Sequence, residues 1–210
     1  MDRYALVSIG SLLVSALLTG LMRRFLLSRR LLAIPNERSL HDVPTPQGGG
    51  VAIVAATSVA LCVLAVLGIV ATDVLIAFMG GGAVVALIGF LDDRRGVSPK
   101  VRIAVHCAAA VWALIWLGGL PAVPDGLGLL NLGPVGYVTG VLGIVWSLNL
   151  FNFMDGIDGI AASEATFMAL GGALVSIVIG SSPAVPALAL ALGGAAIGFL
   201  LWNWPPAKIF

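Results

Sequence analysis

Seven stretches of about twenty apolar residues follow one another along the chain, at about 4–22, 49–71, 73–91, 101–120, 135–153, 160–180 and 184–203. Each is long enough to cross the hydrocarbon core of a bilayer as a helix. Short connections bearing Pro and Gly, such as SSPAVP at 181–186, separate them. Hydrophobic residues make up 60% of the 210 and charged residues only 10%, where a soluble chain carries roughly a quarter charged. A soluble protein of this composition could not cover its own surface, so the bilayer is the solvent for most of the chain. The expected fold is an all-α, polytopic integral membrane helical bundle with about seven transmembrane helices, forming one transmembrane domain over 1–210. The first stretch runs straight into Arg23-Arg24 with no small-residue cleavage site, which predicts a retained span rather than a removed leader. Glycines such as Gly80-Gly81-Gly82 and Gly193-Gly194 lie inside spans, where small residues let helix backbones approach closely. Cys62 and Cys107 fall in apolar stretches without metal-type spacing and read as small packing residues.

The distribution of charge sets the orientation. Net charge is +1, so no overall field points to nucleic acid as a partner. Of the eleven Lys and Arg residues, Arg23, Arg24, Arg29, Arg30, Arg38, Arg94, Arg95, Lys100, Arg102 and Lys208 fall on the side of the first loop, and only Arg3 falls opposite. Positive residues mark the cytoplasmic side, which places the N-terminus outside. The acids divide as well. Asp2, Asp73 and Asp125 go to the outer face, while Glu37, Asp42, Asp92, Asp93, Asp155 and Asp158 go to the cytoplasmic one, with Glu164 slightly inside the sixth span. Carboxylates at several helix ends on one face are positioned to build a shared site there.

Three strings carry the chemistry. In Gly89-Phe-Leu-Asp92-Asp93-Arg94-Arg95, two adjacent acids close the third span, where they oppose the helix macrodipole. They read either as interfacial ions paired with Arg94, Arg95 or Arg102, or as a site for Mg²⁺ or proton handling beside a phosphate. In the second string, a helical spacing puts Asn149, Asn152 and Asp155 on one polar stripe, before Asp155-Gly156 and Asp158-Gly159 break the helix. Asp158 alone could be a helix cap. Two asparagines within the preceding span exceed what capping needs, and intramembrane polar residues are functional candidates. The third is the first loop, Pro35-Asn-Glu37-Arg38-Ser-Leu-His41-Asp42-Val-Pro-Thr-Pro-Gln-Gly-Gly-Gly50, whose glycines allow close backbone approach. His106, inside the fourth span, reads as a packing or helix-bonding histidine.

Taken together, PNERSLHDVPTPQGGG, GFLDDRRGVSPKVR, NLFNFMDGIDGIA and the closing PPAKIF resemble, in this order and between these spans, the glycosyl-1-phosphate transferases of bacterial membranes (glycosyltransferase family 4). The resemblance covers nearly the whole chain. The family includes the enzyme that loads N-acetylglucosamine phosphate onto undecaprenyl phosphate, and the phospho-N-acetylmuramoyl-pentapeptide transferase is a relative. RSLH followed by PTPQGGG is closer to the O-antigen and N-acetylhexosamine branch, hence to lipopolysaccharide and cell-wall biogenesis, than to the pentapeptide branch.

The resemblance implies a multi-pass protein of the bacterial inner membrane with its active face in the cytoplasm. It implies transfer of a sugar-1-phosphate from a UDP-sugar to undecaprenyl phosphate with release of UMP. By the same resemblance, Asp92 and Asp93 work near the lipid phosphate and the metal. Asn149, Asn152, Asp155 and Asp158 bind the nucleotide-sugar, with His41, Arg38, Lys100 and Lys208 steering its anionic groups. Asp92, Asp93, Asp155 and Asp158 are the implied metal ligands, for Mg²⁺ with Mn²⁺ able to substitute. The partners are the membrane lipid and the UDP-sugar, with room for a homodimer. In this family PAKIF is followed by Met-Gly-Asp, whose aspartate binds metal, and by a histidine-rich loop and further spans. The chain stops at Phe210, so the expectation is a C-terminally truncated form that does not catalyse alone; the alternative function is an inactive homologue or membrane scaffold. A CDP-alcohol phosphotransferase fits poorly, because Ile-Ala-Ala-Ser-Glu after Asp158-Gly159 lacks the arginine and later aspartates of that site. A transporter would place ionisable groups near mid-membrane rather than at helix ends.

Overall fold

The computed structural model describes residues 2–29, 32–33, 45–120, 123–124, 129–130 and 132–210. Its helices are α1 (Asp2–Ser28), α2 (Gly50–Val66), α3 (Thr72–Arg95), α4 (Pro99–Leu117), α5 (Gly133–Met154), α6 (Ile160–Val178) and α7 (Ala184–Asn203). Two short antiparallel pairings lie in the connections, β1 (Leu32–Ala33) with β2 (Thr45–Pro46) and β3 (Val123–Pro124) with β4 (Leu129–Leu130). Among the described residues, six helices are long and apolar enough to cross a membrane. The chain is a polytopic helical membrane protein.

α2 is the shorter one. The apolar window extends to about residue 71, but the helix ends after 17 residues, which spans only about 25 Å. Gly68 takes the left-handed conformation, and the Ile69 and Val70 N–H groups both donate to the Leu64 carbonyl at 2.9 and 3.2 Å. This local closure satisfies the helix end, and hydropathy does not register it.

The helices form two compact units, Met1–Ala71 with Phe153–Phe210, and Thr72–Asn152. In the first, α7 is the hub. Gly194 and Gly198 lie against the carbonyl oxygens of Ser8 and Leu12, where a methyl group would collide with the α1 backbone. That close approach lets Ser11 and Ser15 of α1 donate to the Ala191 and Ala195 carbonyls of α7, both at 2.7 Å. In lipid, small residues and such hydrogen bonds hold helices together where hydrophobic burial cannot. These contacts advance in the same direction along both helices, so α1 and α7 are parallel. α6 runs antiparallel to α7, since Gly159 meets Leu200 and Gly193 meets Leu170.

The second unit is a hairpin of α3 and α4 followed by α5. Gly80 accommodates the Trp112 indole, whose Nε1–H donates to the Ile76 carbonyl at 3.1 Å. At the far end of the hairpin, Leu114 packs on Gly140 and Tyr137 on Gly119, so α5 runs antiparallel to α4. The C-terminal end of α3, the start of α4 and the end of α5 therefore share one end of this unit.

Candidate functional site

The turn between α3 and α4 is built around Asp92. Gly96 adopts positive φ, which reverses the chain, and its N–H donates to the Asp92 carbonyl at 2.9 Å. Ser98 caps α4 by accepting the Val101 N–H, and Pro99 occupies the first turn, where its missing donor costs nothing. Asp92 Oδ1 accepts the Val97 N–H at 2.7 Å, and Oδ2 accepts from Arg102 Nη1 at 2.5 Å. The two side chains are only 19% and 24% exposed, so this is a partly buried, charge-assisted pair rather than a solvated one. Of the three arginines offered to the acids by the sequence, Arg102 takes Asp92, while Arg94 stacks over the Phe90 ring at 4.4 Å. A carboxylate has about four acceptor sites, so these two bonds leave Asp92 capacity for a further ligand. Asp93, in the last turn of α3, and Lys100, in the first turn of α4, are exposed. His106, one turn beyond Arg102, is 5% exposed, a packing position.

At the same end of this unit, α5 carries Asn149 and Asn152. Asn149 Nδ2 donates to the Val145 carbonyl of its own helix at 2.7 Å, and Asn152 is exposed. The helix stops at Met154, so Asp155 stands exposed in the turn rather than on the stripe.

In the other unit, three of the sequence strings meet. Asp158 does not serve as a side-chain cap for α6, whose N-cap is Gly159 with no side-chain bond. Instead Asp158 Oδ2 accepts the Ala207 N–H at 2.8 Å, tying the DGIDG turn to the PPAKIF string. Asn203, at the last turn of α7 and 4% exposed, completes the knot. Its Oδ1 accepts the Gly159 N–H and its Nδ2 donates to the Ile209 carbonyl, both at 3.0 Å. Sequence reasoning passed over Asn203; the available signal was a lone amide in the final turn of an apolar span. The PTPQGGG string closes on the same place, with the Phe210 N–H donating to the Pro46 carbonyl at 2.8 Å. The Gly48 and Gly49 N–H groups both donate to the Phe210 carbonyl, at 2.6 and 2.5 Å. Gly49 must be glycine here, because a Cβ would strike the Phe199 ring. Lys208 is exposed, and its carbonyl accepts from Arg23 Nε at 3.2 Å.

A cavity of about 370 Å³ opens beside Asp158, walled by Ser163, Glu164, Phe167 and Trp204. Among the described residues no three His, Cys, Asp or Glu side chains form one metal-binding group. Asp92, Asp93, Lys100, Asn149 and Asn152 belong to one unit and Asp155, Asp158 and Lys208 to the other. Arg38 and His41 lie outside the described residues.

These strings can be set against known proteins. The chain is 31% identical over its full length to the probable undecaprenyl-phosphate N-acetylglucosaminyl 1-phosphate transferase of Bacillus subtilis, covering 58% of that protein. It is 29% identical over 98% of its length to the decaprenyl-phosphate N-acetylglucosaminephosphotransferase of Mycolicibacterium smegmatis, covering 55%. Over 83% of its length it is 32% identical to the phospho-N-acetylmuramoyl-pentapeptide-transferase of Trichormus variabilis, covering 50%. The chain thus spans about half the length of the curated relatives it matches. The family model for glycosyl transferase family 4 matches residues 75–210, which contain the Asp92 turn, the α5 asparagines, the DGIDG turn and PPAKIF. With that match running through every described acidic motif, the chain belongs to glycosyl transferase family 4.

Proposed function

We propose that the whole protein transfers a sugar-1-phosphate of the N-acetylhexosamine type from a UDP-sugar to undecaprenyl phosphate, at the cytoplasmic face of a bacterial inner membrane. The observation that carries this reading is the family match across the acidic turns, joined to relatives named for polyprenyl-phosphate sugar transfer. The lipid phosphate oxygen attacks the β-phosphorus of the UDP-sugar. The bond from that phosphorus to the bridging oxygen breaks, and UMP leaves.

Such a reaction spreads negative charge over phosphoryl oxygens, so positioning and charge compensation do most of the catalysis. Lys100, in the first turn of α4, and Lys208, in the PPAKIF string that follows α7, are exposed and supply fixed positive charge for that purpose. The Asp92–Arg102 pair and the Asn203 knot hold the two acidic turns in place. Mg²⁺ prefers hard oxygen donors and takes one or two carboxylates with substrate phosphates, so a three-carboxylate group is unnecessary. The donors here are of that kind: Asp92 and Asp93 in one unit, and Asp155 and Asp158 in the other, are adjacent or near-adjacent carboxylates at helix ends, and either pair by itself meets that requirement. Bound there, Mg²⁺ would neutralise charge on the diphosphate.

The test is UMP release by the purified whole protein in detergent, supplied with undecaprenyl phosphate, Mg²⁺ and a panel of UDP-sugars. The reading expects release only when the lipid phosphate and a UDP-N-acetylhexosamine are both present, and arrest by EDTA. Release without the lipid would overturn the acceptor, and full turnover in EDTA would remove the metal.

A further inference from the structure

At the opposite end of α1 from the site, a groove of about 290 Å³ lies between the first half of α1 and the last turns of α2. Leu6, Val7 and Val14 of α1 and Ala60 and Val63 of α2 line it. Gly10 forms part of its wall, and a Cβ built there meets nothing within 4 Å. The one charged residue lining the groove is Arg3, which is exposed and makes no hydrogen bond or ion pair with any described residue.

We propose that this groove binds an anionic phospholipid, with an acyl chain along Leu6–Val14 and the headgroup phosphate on Arg3. Charge selects the headgroup, because an arginine at a membrane surface favours anionic over zwitterionic lipid. Apolar lining selects a tail, which excludes a free phosphate as the sole ligand. Helix geometry separates this lipid from the acceptor. Arg3 and Arg23 are twenty residues apart on one helix, about 30 Å, which is the thickness of the hydrocarbon core. Arg23 bonds the Lys208 carbonyl, at the end that carries Asp158 and Asn203. A phosphate on Arg3 therefore sits on the other membrane face from those residues. The occupant is a resident lipid of the opposite leaflet.

The experiment is native mass spectrometry of the chain released from vesicles of equal phosphatidylglycerol and phosphatidylcholine with identical acyl chains. We expect one retained phosphatidylglycerol, favoured about fivefold over phosphatidylcholine. Arg3→Gln should bring that ratio to about one. Gly10→Leu fills the groove and should lower retention of both lipids about fivefold, whereas Gly172→Leu, which also faces open space, should not. Equal retention of the two lipids by the unaltered chain, an unchanged ratio in Arg3→Gln, or undiminished lipid in Gly10→Leu would each overturn the proposal. Arg3→Gln changes an exposed side chain, so it decides the matter even if Gly10→Leu disturbs the helix pair.

Discussion

α7 and α5 are both glycine-rich apolar helices of similar length, yet they are held in different ways. α7 buries a continuous ridge at every fourth residue, Ala187, Ala191, Ala195, Phe199 and Asn203, together with Gly194 and Gly198. α5 buries only Gly136 and Gly140, while Val135, Val138, Leu142, Trp146 and Phe153 are exposed. Hydrophobicity is what takes both into a bilayer; it does not distinguish helix from lipid as a neighbour. Close backbone approach and satisfied polar atoms do. The hub is therefore fixed by small residues and by Ser11, Ser15 and Asn203. In α5, by contrast, the amide of Asn149 is satisfied within its own helix.

The sharpest break of this contrast is a side chain at the α1–α7 contact. Gly198→Leu must push against the Leu12 carbonyl and the Ala16 N–H of α1, and should cost about 3 kcal/mol or more. Gly143→Leu in α5 meets open space and should stay within about 0.5 kcal/mol. Unfolding in mixed micelles of graded SDS content measures both, and equal losses would erase the distinction.

A second comparison uses the two amides. Asn203→Leu orphans the Gly159 N–H and the Ile209 carbonyl in a buried place, and should cost about 2 to 3 kcal/mol. Asn149→Leu releases one carbonyl that Asn149 shares with its own helix, and should cost less than about 1 kcal/mol. If Asn149 binds the donor, as the family resemblance implies, its substitution should still raise KM for the UDP-sugar. A large stability loss with unchanged KM would make Asn149 a packing residue instead.

The smallest expected effect is on chemistry, and it sharpens the roles of the two units. In the whole protein, Asp92→Asn, Asp93→Asn, Asp155→Asn and Asp158→Asn should each lower turnover at least about tenfold, near 1.4 kcal/mol of transition-state stabilisation. Asp92→Asn should in addition lower the melting temperature, because it leaves the Arg102 guanidinium partly buried without its counter-ion. Initial rates of UMP release and thermal melts, run on the same preparations, separate the two effects. Wild-type turnover in any one variant would remove that carboxylate from the site.

What could be read from the chain follows from locality. The spans came from runs of apolar residues, and the helix boundaries fall within a few residues of them except where Gly68 ends α2 and where α1 continues past Arg23-Arg24 to Ser28. Asp92 at the end of α3 was legible because the acid, Gly96, Ser98-Pro99 and Arg102 lie within eleven consecutive positions. For Asp92 the sequence offered Arg94, Arg95 and Arg102 as partners, and only the reversal of the chain at Gly96 put Arg102 in reach. The spacing also placed Asp155 on a stripe with the asparagines, and the end of α5 at Met154 moved it into the turn.

Nothing local announces the knot in the other unit. Asp158 meets Ala207 across 49 positions, Asn203 meets Gly159 across 44, and Gly48 and Gly49 meet Phe210 across more than 160. The sequence by itself determined which segments enter the bilayer and where charge must stay outside it, because transfer of a side chain from water depends on that side chain alone. Only the tertiary structure decided which of two similar glycine-rich helices becomes the hub, and which amide is buried. Close approach depends on what the facing helix presents, and Gly194 and Gly198 acquire their meaning only when Ser8 and Leu12 turn bare carbonyls toward them.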